Sequence, residues 1–169
     1  MSSDVPLVRR KLVKTIPPIV VQSTLTMIKS PFTGGCVCGA VRYECSAAPA
    51  DIQMFKCHCR DCQRITGGGH TPVVYVPAAT FKLTRGTLRY FKTDSELMGP
   101  HTHQRGFCPD CGSRVTGGEG PGMPGIGMTA GSLDDPSWFK PAVEMWVSDA
   151  QPWDFIDPAL PKFKKLPPH

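Results

Sequence analysis

The chain has 169 residues, 40% of them hydrophobic, with 17 Gly, 18 Pro, eight Cys and a formal net charge of +5. That length fits one domain of roughly 100–200 residues, and no run of about 18 apolar residues is present to span a membrane. The cysteines are too sparse for a disulfide scaffold, and the composition excludes coiled coils, collagen-like repeats and a wholly disordered chain.

The charge is uneven along the chain. Residues 1–30 hold Arg9, Arg10, Lys11, Lys14 and Lys29 against Asp4 alone, whereas the remaining 139 residues carry only +1. The body therefore lacks the basic stripe of a nucleic-acid-binding surface. The basic head reads as a flexible N-terminal extension, with an interaction arm or a targeting peptide as the other readings, and residues 31–169 read as a single domain. Ile16–Val21 contains Pro17 and Pro18 and is too short for the apolar core of a secretory signal. Without export the thiols meet a reducing cytosol, where disulfides are rare. A cytoplasmic location is expected, and the cysteines need another explanation.

In chain order, Val41–Cys45 alternates as a half-buried strand does. Thr71–Leu83 is rich in β-branched and aromatic residues with a break at Pro77, and Arg85-Gly86-Thr87 reads as a turn into a strand over Leu88–Lys92. Thr102–Phe107 reads as a strand entering a knuckle at Cys108. A Gly/Pro-rich loop over 117–125 precedes a strand over Ile126–Ser132. Ala142–Ser148 alternates, with Val143, Met145 and Val147 on one face. Arg60–Thr66 and Asp134–Trp138 read as short helical turns. No segment sustains a 3.6-residue period, so the prediction is a mainly β fold of short strands whose loops are pinned by metal.

The cysteines carry the chemistry. They fall as Cys36-Val-Cys38, Cys45 alone, Cys57-His-Cys59-Arg-Asp-Cys62 and Cys108-Pro-Asp-Cys111-Gly. A bridge within Cys-x-Cys lies far from relaxed disulfide geometry, whereas short spacings bring several sulfurs onto one zinc ion. Cys108 and Cys111 form a knuckle that needs two more ligands for a closed structural site. Cys36 and Cys38, on a glycine-flanked turn, are the natural partners. Cys57, Cys59 and Cys62 present three ligands, the pattern of a catalytic-type zinc with an open position. The competing readings are a second structural zinc completed by Cys45 or a histidine, and a redox-sensing thiol cluster. Cys45 itself sits in a strand pattern and reads as a buried small hydrophobe. His58, between two ligands, should point away from their metal. His70, His101 and His103 read as surface histidines, and Trp138, Trp146 and Trp153 as core or pocket wall.

These pieces together resemble the glutathione-dependent formaldehyde-activating enzyme family, which also contains centromere protein V. The matching segments stand in order as Gly34-Gly35-Cys36-Val37-Cys38-Gly39-Ala40-Val41-Arg42-Tyr43, then Cys57-His58-Cys59-Arg60-Asp61-Cys62-Gln63, then Arg105-Gly106-Phe107-Cys108-Pro109-Asp110-Cys111-Gly112. Gly131–Pro136 and Pro152-Trp153 also fit, so the resemblance covers about residues 33–161.

The resemblance implies a zinc-stapled fold of packed antiparallel sheets with short helical turns. It also implies two zinc ions, a structural one on Cys36, Cys38, Cys108 and Cys111 and a catalytic-type one on Cys57, Cys59 and Cys62. The implied reaction condenses glutathione with formaldehyde, a carbon–sulfur lyase reaction in reverse, so the partners are a small thiol and an aldehyde. His70 is a candidate proton donor to the developing alkoxide. Arg60, Arg64 and Arg105 are candidate cations for the glutathione carboxylates, with solvated surface charge as the alternative for each. Two other functions remain open. One is a different small-carbonyl or thiol zinc enzyme on the same scaffold, and the other is a non-catalytic zinc-stabilised binding module. Neither a nucleic-acid nor a membrane partner is expected, and the oligomeric state is not legible.

Overall fold

The computed structural model describes residues 28–93, 103–119 and 124–167. Residues 1–27 of the basic head and His101 lie outside the described residues. In chain order the strands are β1 (Phe32–Gly35), β2 (Arg42–Cys45), β3 (Gln53–Cys57), β4 (Thr71–Pro77), β5 (Phe81–Arg85) and β6 (Arg89–Thr93). They continue with β7 (His103–Phe107), β8 (Arg114–Glu119), β9 (Gly125–Thr129), β10 (Val143–Met145) and β11 (Lys162–Phe163). A single α-helix among the described residues, α1 (Arg60–Thr66), joins β3 to β4.

The strands form two sheets. The smaller has the order β1-β2-β5, and the larger has the order β11-β10-β3-β4-β9-β8-β7-β6. The fold is mainly β, as the sequence predicts, but the larger sheet is mixed. β10 runs parallel to both β3 and β11, while the other pairings are antiparallel.

The period-two pattern of the central strands explains where the core sits. On β4, Val74 and Val76 enter one apolar cluster with Phe32, Val41, Tyr43 and Met128, while Val73 and Tyr75 pack on a second cluster around Phe55, Val143 and Met145. Alternate side chains on a strand point to opposite faces, so this sheet is covered on both sides. Burying each of the two valines contributes about 1.5–3 kcal/mol. Between the sheets, Tyr43 Oη lies 2.9 Å from Ser132 Oγ, and Gly34 bridges to Leu133.

Several boundaries differ from the sequence reading for physical reasons. β3 reads Gln-Met-Phe-Lys-Cys, a strand buried on both faces and therefore without polar alternation. β8 runs into the segment predicted as a glycine-rich loop. The expected helical turn at Asp134–Trp138 is an irregular turn, because Asp134 N–H bonds back to Thr33 O at 3.0 Å and Phe139 N–H to Pro136 O at 3.0 Å. The strand predicted through Ser148 stops at Met145, since Trp146 takes φ 60° and a 3-10 turn follows. Trp138 and Trp146 are buried, but Trp153 is 70% exposed and is not a core residue.

Candidate metal centres

Two hairpins, one from each sheet, build the first centre. Cys36 and Cys38 occupy the β1–β2 connection, and Cys108 and Cys111 the β7–β8 connection. Their four sulfurs all lie within 4.8 Å of one another, with Cys38 Sγ 3.4 Å from Cys36 Sγ and 3.7 Å from Cys108 Sγ. Backbone hydrogen bonds shape each turn, from Gly112 N–H to Cys108 O at 2.9 Å and from Cys36 N–H to Val41 O at 3.1 Å. Gly112 has φ +73°, a left-handed conformation that favours glycine.

The electrostatics suit a dication. Cys111 is brought down to about 6, first by the Ser113 hydroxyl, 3.3 Å away, and then by the Ser113 amide. Burial would raise Cys36, but the Val41 amide and the neighbouring thiols bring it below an ordinary thiol. The Ala40 amide would lower Cys38, yet the neighbouring sulfurs hold it up to about 12. Some sulfurs are thus shifted toward the thiolate while a neighbour resists further negative charge. A bound cation removes that conflict, and four converging thiolates match zinc.

The second centre lies at the β3–α1 junction. Cys57 ends β3, Cys59 caps α1 and Cys62 lies in its first turn, with Cys59 Sγ accepting from Cys62 N–H at 3.4 Å. This capping geometry is why the Cys-x2-Cys step converges. All three sulfurs lie within 4.8 Å of one another, and all three residues are buried. Hydrogen bonds from Cys57 and then Cys59 hold the Cys62 thiol well below its ordinary range, while sharing with Cys59 and Cys62 pushes Cys57 well above it. Cys45 is buried on the other sheet, 3.6 Å from Thr80 Oγ1, and is not part of this group.

A third group was not anticipated as a unit. His58 turns away from the cysteine sulfurs, as expected, and its Nδ1 lies 3.0 Å from Asp154 Oδ2. His70 Nδ1 lies 2.9 Å from the same oxygen. An ideal Cβ on Gly69 would sit 2.2 Å from Asp154 Cγ, so glycine there makes room for the carboxylate. Burial and then the His70 charge lower His58. Asp154 carried no motif signal, being 96 residues from His58 and 84 from His70. His103, expected on the surface, has a buried Nδ1 with no hydrogen-bond partner, and burial followed by Arg105 pushes it down to about 4.

Residues 31–149, more than half of the chain, match the family model described as glutathione-dependent formaldehyde-activating enzyme. The chain belongs to that family. A crystal structure of a Rhodobacter sphaeroides protein is similar over 78% of this chain and 98% of that one, at 17% identity and a TM-score of 0.48.

The three arginines suggested as substrate cations in this family member sit in different places. Arg60 and Arg64 are exposed on α1, Arg60 bonding Gln63 Oε1. Arg105 is only 1% exposed, and its Nη2 donates to Asp61 Oδ2 at 3.0 Å, so it ties β7 to α1. Neither free solvation nor surface recognition describes it. A cleft of about 710 Å³ runs between the first centre and the end of α1, lined by Cys36, Cys111, Ser113, Arg114, Ile65 and Thr66 among others. The cleft thus opens beside the first centre and reaches the end of the helix that carries Cys62. No helix among the described residues is long and apolar enough to cross a membrane.

Proposed function

We propose that this family member is a zinc-dependent carbon–sulfur lyase-type enzyme that makes and breaks a thiol–aldehyde adduct, S-hydroxymethylglutathione or a close analogue. The observation that carries this reading is the convergence of Cys57, Cys59 and Cys62 as three ligands, separate from a four-sulfur group that is complete by itself. The proposed roles are a structural zinc on Cys36, Cys38, Cys108 and Cys111, and a reactive zinc on Cys57, Cys59 and Cys62. Bound there, zinc would hold an incoming thiol as thiolate and polarise an aldehyde carbonyl.

The reaction balances without an oxidant. The thiol loses its proton, a sulfur–carbon bond forms, the carbonyl π pair moves to oxygen, and oxygen takes up a proton. His70 is the proposed proton carrier, oriented by Asp154 through Nδ1, which leaves its other ring nitrogen for the transfer. Arg60 and Arg64, exposed on the helix that carries Cys62, are the proposed cations for the substrate carboxylates. Arg105 acts at one remove by fixing Asp61 of that helix. All eight cysteines are free, which fits a reducing, cytoplasmic setting.

The burial of Cys57, Cys59 and Cys62 favours a second reading, a closed structural site in a zinc-stabilised binding module. Exchange spectroscopy on glutathione and formaldehyde separates the two. Adduct exchange accelerated by the protein and lost in Cys59→Ser supports the enzyme. Exchange no faster than in buffer overturns this substrate assignment.

A further inference from the structure

We propose that His58, His70 and Asp154 form a third metal site, binding a divalent first-row transition ion such as zinc through two imidazole Nδ1 atoms and one carboxylate. None of its ligands is a sulfur, but it shares His70 with the proposed function: an ion on Nδ1 would replace the hydrogen bond to Asp154 as what orients the ring, and the other ring nitrogen stays uncoordinated.

Geometry gives the first argument. The three donor atoms lie within 4.8 Å of one another. Asp154 Oδ2 is 3.0 Å from His58 Nδ1 and 2.9 Å from His70 Nδ1. Ligands at zinc distances of about 2.0–2.1 Å in a tetrahedron lie about 3.3 Å apart, so each of the two carboxylate–imidazole edges needs to open by only a few tenths of an ångström to admit the ion. The second carboxylate oxygen accepts from Phe155 N–H at 3.0 Å and also lies 3.1 Å from His70 Nδ1.

Proton placement gives the second. If His58 donates from Nδ1 to Asp154, its neutral ring presents the Nε2 lone pair to Glu144 Oε2, 3.6 Å away. Two acceptors would then face each other in the interior. Both atoms are buried and neither has a hydrogen-bond partner, while the other Glu144 oxygen is fixed by Lys56 Nζ at 3.0 Å and Asp157 N–H at 3.0 Å. A metal on Nδ1 moves the proton to Nε2, where it points at Glu144. That is the carboxylate–histidine–metal arrangement that orients metal-bound imidazoles, and the two orphaned atoms, 3.6 Å apart, need only a small approach to bond.

Access gives the third. His58 is fully buried, but the His70 side chain is 24% exposed and that of Asp154 10% exposed. Solvent therefore reaches one side of the group, leaving an entry path and room for a fourth ligand.

The test uses the full-length reduced protein loaded with zinc alone, or with cobalt alone as a spectroscopic probe. Metal per chain is compared between the parent, His70→Ala and Asp154→Asn. The expected result is one fewer ion per chain in both variants, with the cobalt–thiolate charge-transfer absorption unchanged. Equal metal content in the parent and both variants overturns the site. Should the variants fail to fold, imidazole nitrogen NMR on the parent decides. A His58 proton on Nε2 with a metal-shifted Nδ1 supports the site, and a doubly protonated His58 overturns it.

Discussion

Four sulfurs at the tips of two hairpins and three sulfurs at a strand–helix junction both arise from short cysteine spacings, yet the chain surrounds them differently. In the first group Cys38 and Cys111 are exposed while Cys36 and Cys108 are buried, and the sulfurs join turns from separate sheets. In the second all three cysteines are buried in an apolar cluster with Phe55, Val143, Met145 and Trp146. The first links turns of two sheets, which also share an apolar cluster that includes Tyr43 and Val115. The second sits on elements that β-pairing and apolar packing already hold. Solvent exposure alone therefore does not separate the structural metal proposed for the first centre from the reactive one proposed for the second.

The largest expected effect follows from that difference. Cys108→Ser should abolish cooperative folding, because it opens the staple, and metal binding in such sites is folding free energy of about 10–16 kcal/mol in small zinc domains. Cys59→Ser should keep the fold while losing metal from the second centre. Circular dichroism with metal analysis checks both, and equal collapse of the two variants would mean that both centres are structural.

A smaller effect is expected where the two regions are tied together. Arg105 reaches from β7, which leads into the Cys108 knuckle, to Asp61 on the helix that carries Cys62. Arg105→Ala should cost about 2–3 kcal/mol in a denaturant titration, below the range for a fully buried pair, because the Asp61 side chain is 31% exposed. If the loss is under about 0.5 kcal/mol, typical of surface substitutions, the two regions are not coupled through this contact.

Acid should test the same junction. His103 is held at about 4, below its ordinary 6.5, by burial and then by Arg105. The unfolded chain takes up a proton in this window and the folded chain resists it, so the contribution is complete above about 6.5 and falls away toward about 4. Unfolding midpoints at pH 7 and pH 5 should differ less in His103→Asn than in the parent.

The smallest effect is expected at the rim of the staple. Arg42 pairs with Asp134 across the hairpin, at side-chain exposures of 33% and 43%. Arg42→Ala should change stability by less than about 1 kcal/mol, as for other exposed ion pairs. A larger loss in a thermal melt would mean that the hairpin, and not the sulfurs alone, positions Cys36.

The sequence by itself determined the mainly β class, the grouping of Cys36, Cys38, Cys108 and Cys111, the separate cluster Cys57, Cys59 and Cys62, and the α1 turn. Short spacings and alternation are local signals, since one turn or one strand suffices to express them. β3 stayed hidden because a strand buried on both faces shows no alternation, and β8 because its glycines look like a loop. Only the tertiary structure placed Asp154 between His58 and His70, buried Arg105 against Asp61 and turned His103 inward. The first two sets of contacts join residues 44 to 96 positions apart, whose approach depends on which strands pair and which faces are covered.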